Sequence, residues 1–249
     1  RFKHELAIEL AGVLALTAVR NNDRVGLLLF SDQVEHALPP RKGRKHALRL
    51  IRDLLTVTPR SKGTSVSAAV DRLMRLLPHR SVIFLCSDFL SDALERPLAR
   101  LAQRHDVIAV TLEDPAERVL PDIGPARLED PETGEQLEID TSHPAVRAAF
   151  AKRLADADEA RRRLFGRLGL DEIVVHTEHG YTDALLSFFR ARARRAHGAV
   201  RTGPRGSMGD AASAEVAVRD HAPPASGKSS APTRSGVRAT YVRPPNGAR

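Results

Sequence analysis

Three short stretches set hydroxyls beside carboxylates or at a glycine-bearing loop: Ser31-Asp32, Gly63-Thr64-Ser65 and Ser87-Asp88. Oxygen donors of this kind suit a hard cation such as Mg2+, which takes carboxylate and hydroxyl ligands and keeps some of its waters. Two side chains alone make a weak site, so such a centre needs donors gathered from several loops. The alternative chemistry is that of a Mg2+-dependent phosphohydrolase or phosphotransferase, with Asp32 or Asp88 as ligand or nucleophile. Aspartyl-phosphate formation also requires an acid/base and a phosphate-binding lysine or helix N-terminus. Neither aspartate belongs to an Asp-x-Asp pair, and no lysine is clearly placed beside them. The Gly63 loop lacks the Walker spacing, and Ser87 is not in a Gly-x-Ser-x-Gly elbow. His176 and His179 bracket Thr177-Glu178 without an evident third ligand, which favours a structural or exposed role over a metal pair.

These stretches follow segments that read as strands. Residues 82–86, Val-Ile-Phe-Leu-Cys, form an unbroken apolar run, the pattern of a strand covered on both faces. The run stops at Ser87-Asp88, and in an open α/β sheet ligands bind outside the carboxyl ends of the strands. A second reading of Asp88 makes it the cap of a helix that follows near Leu94. Residues 25–30 read as another doubly covered strand, with Gly26 permitting close approach of a neighbour. Residues 33–38 alternate as a more exposed strand closed by Pro39-Pro40, residues 107–112 form a further buried strand, and residues 172–176 the last one. A small rim hairpin is expected over residues 126–140, turning at residues 131–134.

Helices alternate with these strands. Leu6, Leu10, Val13, Leu14 and Thr17 mark one, Ala47 to Leu55 another, and Val66, Ala69, Val70, Leu73, Leu76 and Leu77 the cleanest amphipathic one. Leu94, Leu98 and Leu101 make a short helix that tolerates Pro97 only in its first turn. His143-Pro144 opens a long helix whose Arg161-Arg162-Arg163 run reads as a wet face, and Thr182 caps a terminal helix. Arg41 to Lys45 is a basic loop. The order argues an α/β fold, a doubly wound, mostly parallel sheet with helices on both faces.

The 249 residues are 42% hydrophobic, enough for a sizeable core in part of the chain. A single cysteine, Cys86, excludes an internal disulfide and lies in the apolar run, as a buried thiol of a reducing compartment would. No apolar stretch is long enough for a membrane span, and a cytoplasmic segment is expected, whose parent protein is compatible with membrane association. The net charge of +8 is concentrated late: from Arg201 onward eight basic residues face three acidic ones, leaving +5. The remainder shows no basic face interleaved with aromatics, so no specific nucleic-acid partner is expected. Two units follow: a folded domain over residues 1–195 and a disordered basic tail, rich in Gly, Pro, Ser and Ala, over residues 196–249. The tail reads as a solubilising linker in preference to a nucleic-acid tether.

The run Asn21-Asn22-Asp23-Arg24-Val25-Gly26-Leu27-Leu28-Leu29-Phe30, then Pro39-Pro40-Arg41-Lys42-Gly43, Gly63-Thr64 and residues 81–90 resemble the von Willebrand factor A-like part of a bacterial family called domain of unknown function 58. The resemblance covers roughly residues 1–195. It implies a metal-ion-dependent adhesion site in which Thr64 matches the loop threonine and Asp88 the second aspartate. The Asp-x-Ser-x-Ser motif that supplies the other ligands is absent from the chain, and the resemblance sets it, with the central first strand, before Arg1. The chain is therefore expected to be N-terminally incomplete, with a strand missing from mid-sheet and Mg2+ bound only if upstream residues complete the site. The resemblance further implies a non-catalytic interaction module acting beside a MoxR-type AAA+ ATPase in assembling or maturing other complexes.

Overall fold

A computed structural model describes residues 3–58, 60–61, 63–90, 93–129, 136–200, 213–219 and 238–240, with side chains up to residue 195. It is a mixed α/β fold. Helix α1 (Lys3–Arg20) leads into β1 (Val25–Phe30), which turns back through β2 (Val34–Arg41). Helices α2 (Arg44–Thr56) and α3 (Val66–Leu76) precede β3 (Ser81–Ser87), α4 (Glu95–Arg104) and β4 (Asp106–Glu113). After a short 3-10 turn, Pro115–Glu117, come the strands β5 (Pro125–Glu129) and β6 (Gln136–Asp140), the long helix α5 (Pro144–Leu168), β7 (Asp171–His176) and α6 (Thr182–Val200). Two strands follow, β8 (Ser213–Arg219) and β9 (Arg238–Thr240).

The main sheet has the order β2-β1-β8-β3-β4-β7, and only β2 runs antiparallel to its neighbour. Side chains of a strand alternate between faces, and here both faces are covered. Leu27, Leu29, Phe84, Cys86, Ile108 and Val110 meet α1, α2 and α6 in one cluster. Leu28, Phe30, Ile83, Leu85, Val107 and Ala109 meet α3, α4 and α5 in the other. This double burial explains the unbroken apolar runs of β1, β3 and β4.

Several expectations hold in detail. A Cβ on Gly26 would lie 2.9 Å from the Leu38 carbonyl oxygen and 3.1 Å from the Pro40 nitrogen, so the close approach foreseen there is that of β2. Pro97 stands in the first turn of α4. The hairpin is β5–β6, its turn lying outside the described residues.

Others are corrected. β2 does not stop at Pro39-Pro40 but continues to Arg41 opposite Val25; as an edge strand it tolerates residues that donate no ladder bond. Arg44 and Lys45 belong to α2 and not to a loop. The buried stripe of α1 is Leu6, Ala7, Leu10, Ala11, Leu14, Ala15 and Ala18, whereas Val13 is exposed. Small alanines, easily overlooked beside leucines, let α1 settle close over β1, β4 and β8.

The largest difference lies in the C-terminal region. Most of residues 196–249, expected as a disordered tail, fall outside the described residues, but α6 extends to Val200 and both β8 and β9 belong to this region. β9 pairs with β5 at residues 127–129. β8 occupies the mid-sheet place expected to lack a strand, parallel to β1 from Val25↔Ala214 to Phe30↔Arg219 and to β3 from Ser81↔Ser213 to Cys86↔Val218. The physical reason is the cost of unpaired peptide groups: two buried strands facing an empty gap would leave their N–H and C=O groups without partners, and any compatible segment within reach is drawn in.

Candidate functional site

Because β1, β8, β3, β4 and β7 are parallel, their carboxyl ends share one edge of the sheet, and the hydroxyl and carboxylate stretches lie along it. Ser31 follows β1 and is buried. Its carbonyl accepts the Ser65 N–H at 2.7 Å, which pins the loop before α3 to the end of β1. Gly63 lies against Asp32, where an added Cβ would be 3.4 Å from the aspartate Cβ. The Ser31 hydroxyl donates to Glu35 Oε1 at 2.6 Å and lies 3.2 Å from Asp32 Oδ1. Ser65 accepts the Ala68 N–H at 3.2 Å and so caps α3 instead of facing outward. Ser31, Asp32, Gly63, Thr64 and Ser65 therefore form one assembly at the end of β1.

Ser87 and Asp88 form the second assembly, at the end of β3. The Ser87 oxygen accepts the Phe89 N–H at 3.1 Å, and Asp88 Oδ1 lies 3.4 Å from the Ser87 hydroxyl. Phe89 has φ of 54°, a left-handed conformation that costs a non-glycine residue roughly 1 kcal/mol or more. Its burial edge-on against Phe165, with centroids 5.1 Å apart, offsets that cost and fixes the turn that presents Asp88. Asp88 does not cap the following helix, since α4 starts at Glu95 and its N-cap residue is Leu94. The two assemblies stand on either side of the carboxyl end of β8.

A third group was not singled out in the sequence. Glu117, in the 3-10 turn after β4, is mostly buried and ion-paired with Lys3. Burial pushes its carboxyl up, the Lys3 ammonium partly reverses this, and the charges of Asp114 and Asp88 push it up again. Asp88 is thus close enough for Glu117 to feel its charge. Glu117 Oε1 has no hydrogen-bond partner among the described residues. The sequence signal was present in the acidic run Glu113-Asp114-Pro-Ala-Glu117 directly after a buried strand.

The Arg161-Arg162-Arg163 run is also corrected. Arg162 and Arg163 are exposed, but Arg161 is 5% exposed and bonds Asp158 at 2.9 Å, Glu172 at 3.0 Å and Glu113 at 3.1 Å. Arg118 joins Asp158 and Glu113. Burial opposes ionisation of Asp158, but Arg118 and Arg161 outweigh it and hold its carboxyl below the ordinary value. His176 lies 3.8 Å from Glu113, and its ring is 6.3 Å from that of His179.

A hard cation at the sheet edge would draw on Thr64, Asp88 and Asp32. Among the described residues no three His, Cys, Asp or Glu side chains converge to hold a metal, so these donors do not by themselves fit a complete site. For nucleophilic chemistry, burial pushes the Cys86 thiol up to about 12, leaving it inert. Among the described residues, the Ser31 and Ser87 hydroxyls bond carboxylates and backbone and no histidine. No helix among the described residues is long and apolar enough to cross a membrane.

The molecule is thus an α/β protein with a polar sheet edge built of hydroxyls and carboxylates. By sequence it belongs to the family described as protein of unknown function DUF58, whose model matches residues 1–160. An uncharacterized protein of Mycobacterium tuberculosis is 28% identical over 197 residues, 78% of this chain and 62% of that protein. An uncharacterized protein of Mycobacterium avium is 33% identical over 164 residues, 64% of this chain and 95% of its own length. The chain spans about three fifths of the length of the M. tuberculosis relative. Among solved structures, the conserved hypothetical protein BatB from Bacteroides thetaiotaomicron aligns over 78% of this chain and 89% of its own, with 14% identity and a TM-score of 0.40.

Proposed function

We propose that this chain is a non-catalytic protein-interaction module with a doubly wound, von Willebrand factor A-like sheet, whose recognition edge is the carboxyl end of β1 and β3. The observation that carries the reading is the 2.7 Å bond from the Ser65 N–H to the Ser31 carbonyl, which holds Thr64 on the same sheet edge as Asp88. Hydroxyls and carboxylates there, with a thiol made inert by burial, suit recognition through oxygen donors better than turnover. Thr64 and Asp88 contribute to a Mg2+ site only if upstream residues complete it at the carboxyl ends of β1 and β3. The partner is a MoxR-type AAA+ ATPase in the cytoplasm, and the module's work with it is the assembly or maturation of other complexes; this rests on the family resemblance. The test is an assay of p-nitrophenyl phosphate hydrolysis with Mg2+, on the wild type and Asp88→Asn. The expected result is no turnover above the blank in either protein. Turnover that disappears in Asp88→Asn would replace this reading with the phosphohydrolase.

A further inference from the structure

The outer surface of the helical layer formed by α1 and α2 is neither polar nor neutral. The two helices run antiparallel, because α1 leads into β1, α2 leaves β2, and those strands are antiparallel. They pack closely at Gly12, where an added Cβ would meet Ile51 Cγ1 at 4.0 Å. On the side away from the sheet, Val13 and Leu16 of α1 and Leu48 and Leu55 of α2 are between 39% and 63% exposed. Their spacing, three residues apart on α1 and seven on α2, puts each pair on one face of its helix. Apolar side chains gathered on two packed helices make a patch, unlike the single exposed leucines that any surface carries.

The charge around this patch is polarised. Arg20, Arg24, Arg41, Lys42, Arg44 and Lys45 are exposed and have no ion pair among the described residues. The fold gathers them at one end. Arg41 stands opposite Val25 and His46 Nε2 lies 2.9 Å from the Val25 carbonyl oxygen, so the end of β2 and the start of α2 meet the turn between α1 and β1. Arg49 and Arg52 continue the cationic face along α2, sharing the one carboxylate of Asp53 with His36. The stability of α2 does not ask for this arrangement: its first turn holds no acid, its N-cap Gly43 makes no side-chain cap, and Arg44 and Lys45 oppose the positive end of the helix dipole. Toward the other end of α1, Glu5 and Glu9 are exposed on the face that carries Val13 and Leu16.

We propose that the outer face of α1 and α2 is a docking surface whose occupant is an amphipathic helix of a partner protein, acidic over the half that meets the basic end. The apolar side chains of that helix lie on Val13, Leu16, Leu48 and Leu55, and its carboxylates face the cations around Lys45. Two features select this occupant among anionic ones. A nucleic acid would use the cations but leave the apolar residues unmatched, and α1 and α2 contain no Phe, Tyr or Trp on which a base could stack. A lipid surface is negative throughout and would meet Glu5 and Glu9 as well as the cations, whereas a helix can carry opposite charge at its two ends. The basic end lies at the amino end of β1, opposite the edge that carries Thr64 and Asp88, so the inference goes beyond the function proposed above and does not rest on it.

The probe is a fluorescein-labelled helical peptide of about five turns, with leucine at the a and d positions of each heptad, glutamate elsewhere in its N-terminal half and lysine elsewhere in its C-terminal half. A control peptide has glutamine for glutamate, and each is titrated into the full chain. Saturable capture is expected, at least about tenfold tighter for the glutamate peptide. Leu48→Ser and Lys45→Glu, made separately, should each weaken capture about fivefold or more. Lys45→Glu puts an acid in the first turn of α2, which favours the folded helix, so weaker capture by that variant is a loss of recognition and not of structure. Capture that neither substitution weakens overturns the proposal, since the peptide would then be held elsewhere, as on the basic residues from Arg201 onward. Loss in only one of the two variants overturns it as well, because the occupant needs both the leucine and the cation. No capture of the glutamate peptide also overturns it, and phosphatidylglycerol vesicles and duplex DNA titrated alongside would then show whether a lipid or a nucleic acid takes the face.

Discussion

Arg161 sits among three carboxylates, those of Glu113, Asp158 and Glu172, with 5% of its side chain exposed. Replacing it with alanine would strip Glu172 of its ion pair and leave Glu113 and Asp158 to Arg118, and breaking a buried pair typically costs about 3–5 kcal/mol. Urea unfolding at neutral pH should show that loss, and an Arg161→Ala protein within 1 kcal/mol of wild type, in order of magnitude, would mean the network is solvated. His105 poses the opposite problem. It is 2% exposed, neither ring nitrogen has a hydrogen-bond partner among the described residues, and burial, then the charges of Arg104 and Arg80, push its pKa down. A group whose folded pKa is depressed is protonated first in the unfolded chain. Its contribution is fully present above the ordinary value of 6.5 and is lost as the pH falls below it toward the folded pKa. Unfolding midpoints at pH 7.5 and 5 should therefore drop less in His105→Phe than in the wild type, and equal drops would show that the ring finds a partner in the folded state. Neither role was legible in the sequence. Arg161 is one of three adjacent arginines, and which of them turns inward depends on the phase of α5 over β4 and β7. The covered face of α5 is set by Asp158, Arg161 and Phe165, two of which no hydrophobic pattern would select.

At the scale of elements, strands were the most readable units, because double burial writes itself as a continuous apolar run and the runs end at the polar residues of the sheet edge. Thr64 and Asp88 could be placed on that edge for the same reason. The bond that ties Ser65 to Ser31 joins residues 34 positions apart and left no local trace. Gly26 tests the packing of β1 on β2. Gly26→Ala would put a methyl group 2.9 Å from the Leu38 carbonyl oxygen, and backbone must shift to relieve it. A loss of about 1–3 kcal/mol in chemical denaturation is expected; an unchanged midpoint would show that the Pro39-Pro40 stretch yields freely. Ser65→Ala removes the cap of α3 and should cost about 1 kcal/mol by the same measurement. The absence of any such effect would mean that the loop holds Thr64 in place without the cap.

For the whole molecule, the pattern of charge and the pattern of folding diverge. The excess positive charge lies mainly beyond residue 200, and from composition alone that region reads as a solvated tail. Yet it contributes β8 to the middle of the main sheet and β9 to the smaller one. Composition could not reveal this, because β8 reads Ser-Ala-Glu-Val-Ala-Val-Arg and carries no unbroken apolar run. The proposed recognition surface is the polar edge at the carboxyl ends of β1 and β3. The most direct measurement is the affinity of the full chain for a MoxR-type AAA+ ATPase by sedimentation velocity, with wild type and Asp88→Ala compared at the same Mg2+ concentration. Saturable binding is expected, weakened at least about tenfold by the substitution. Equal affinity of the two proteins, or no association of either, would contradict it.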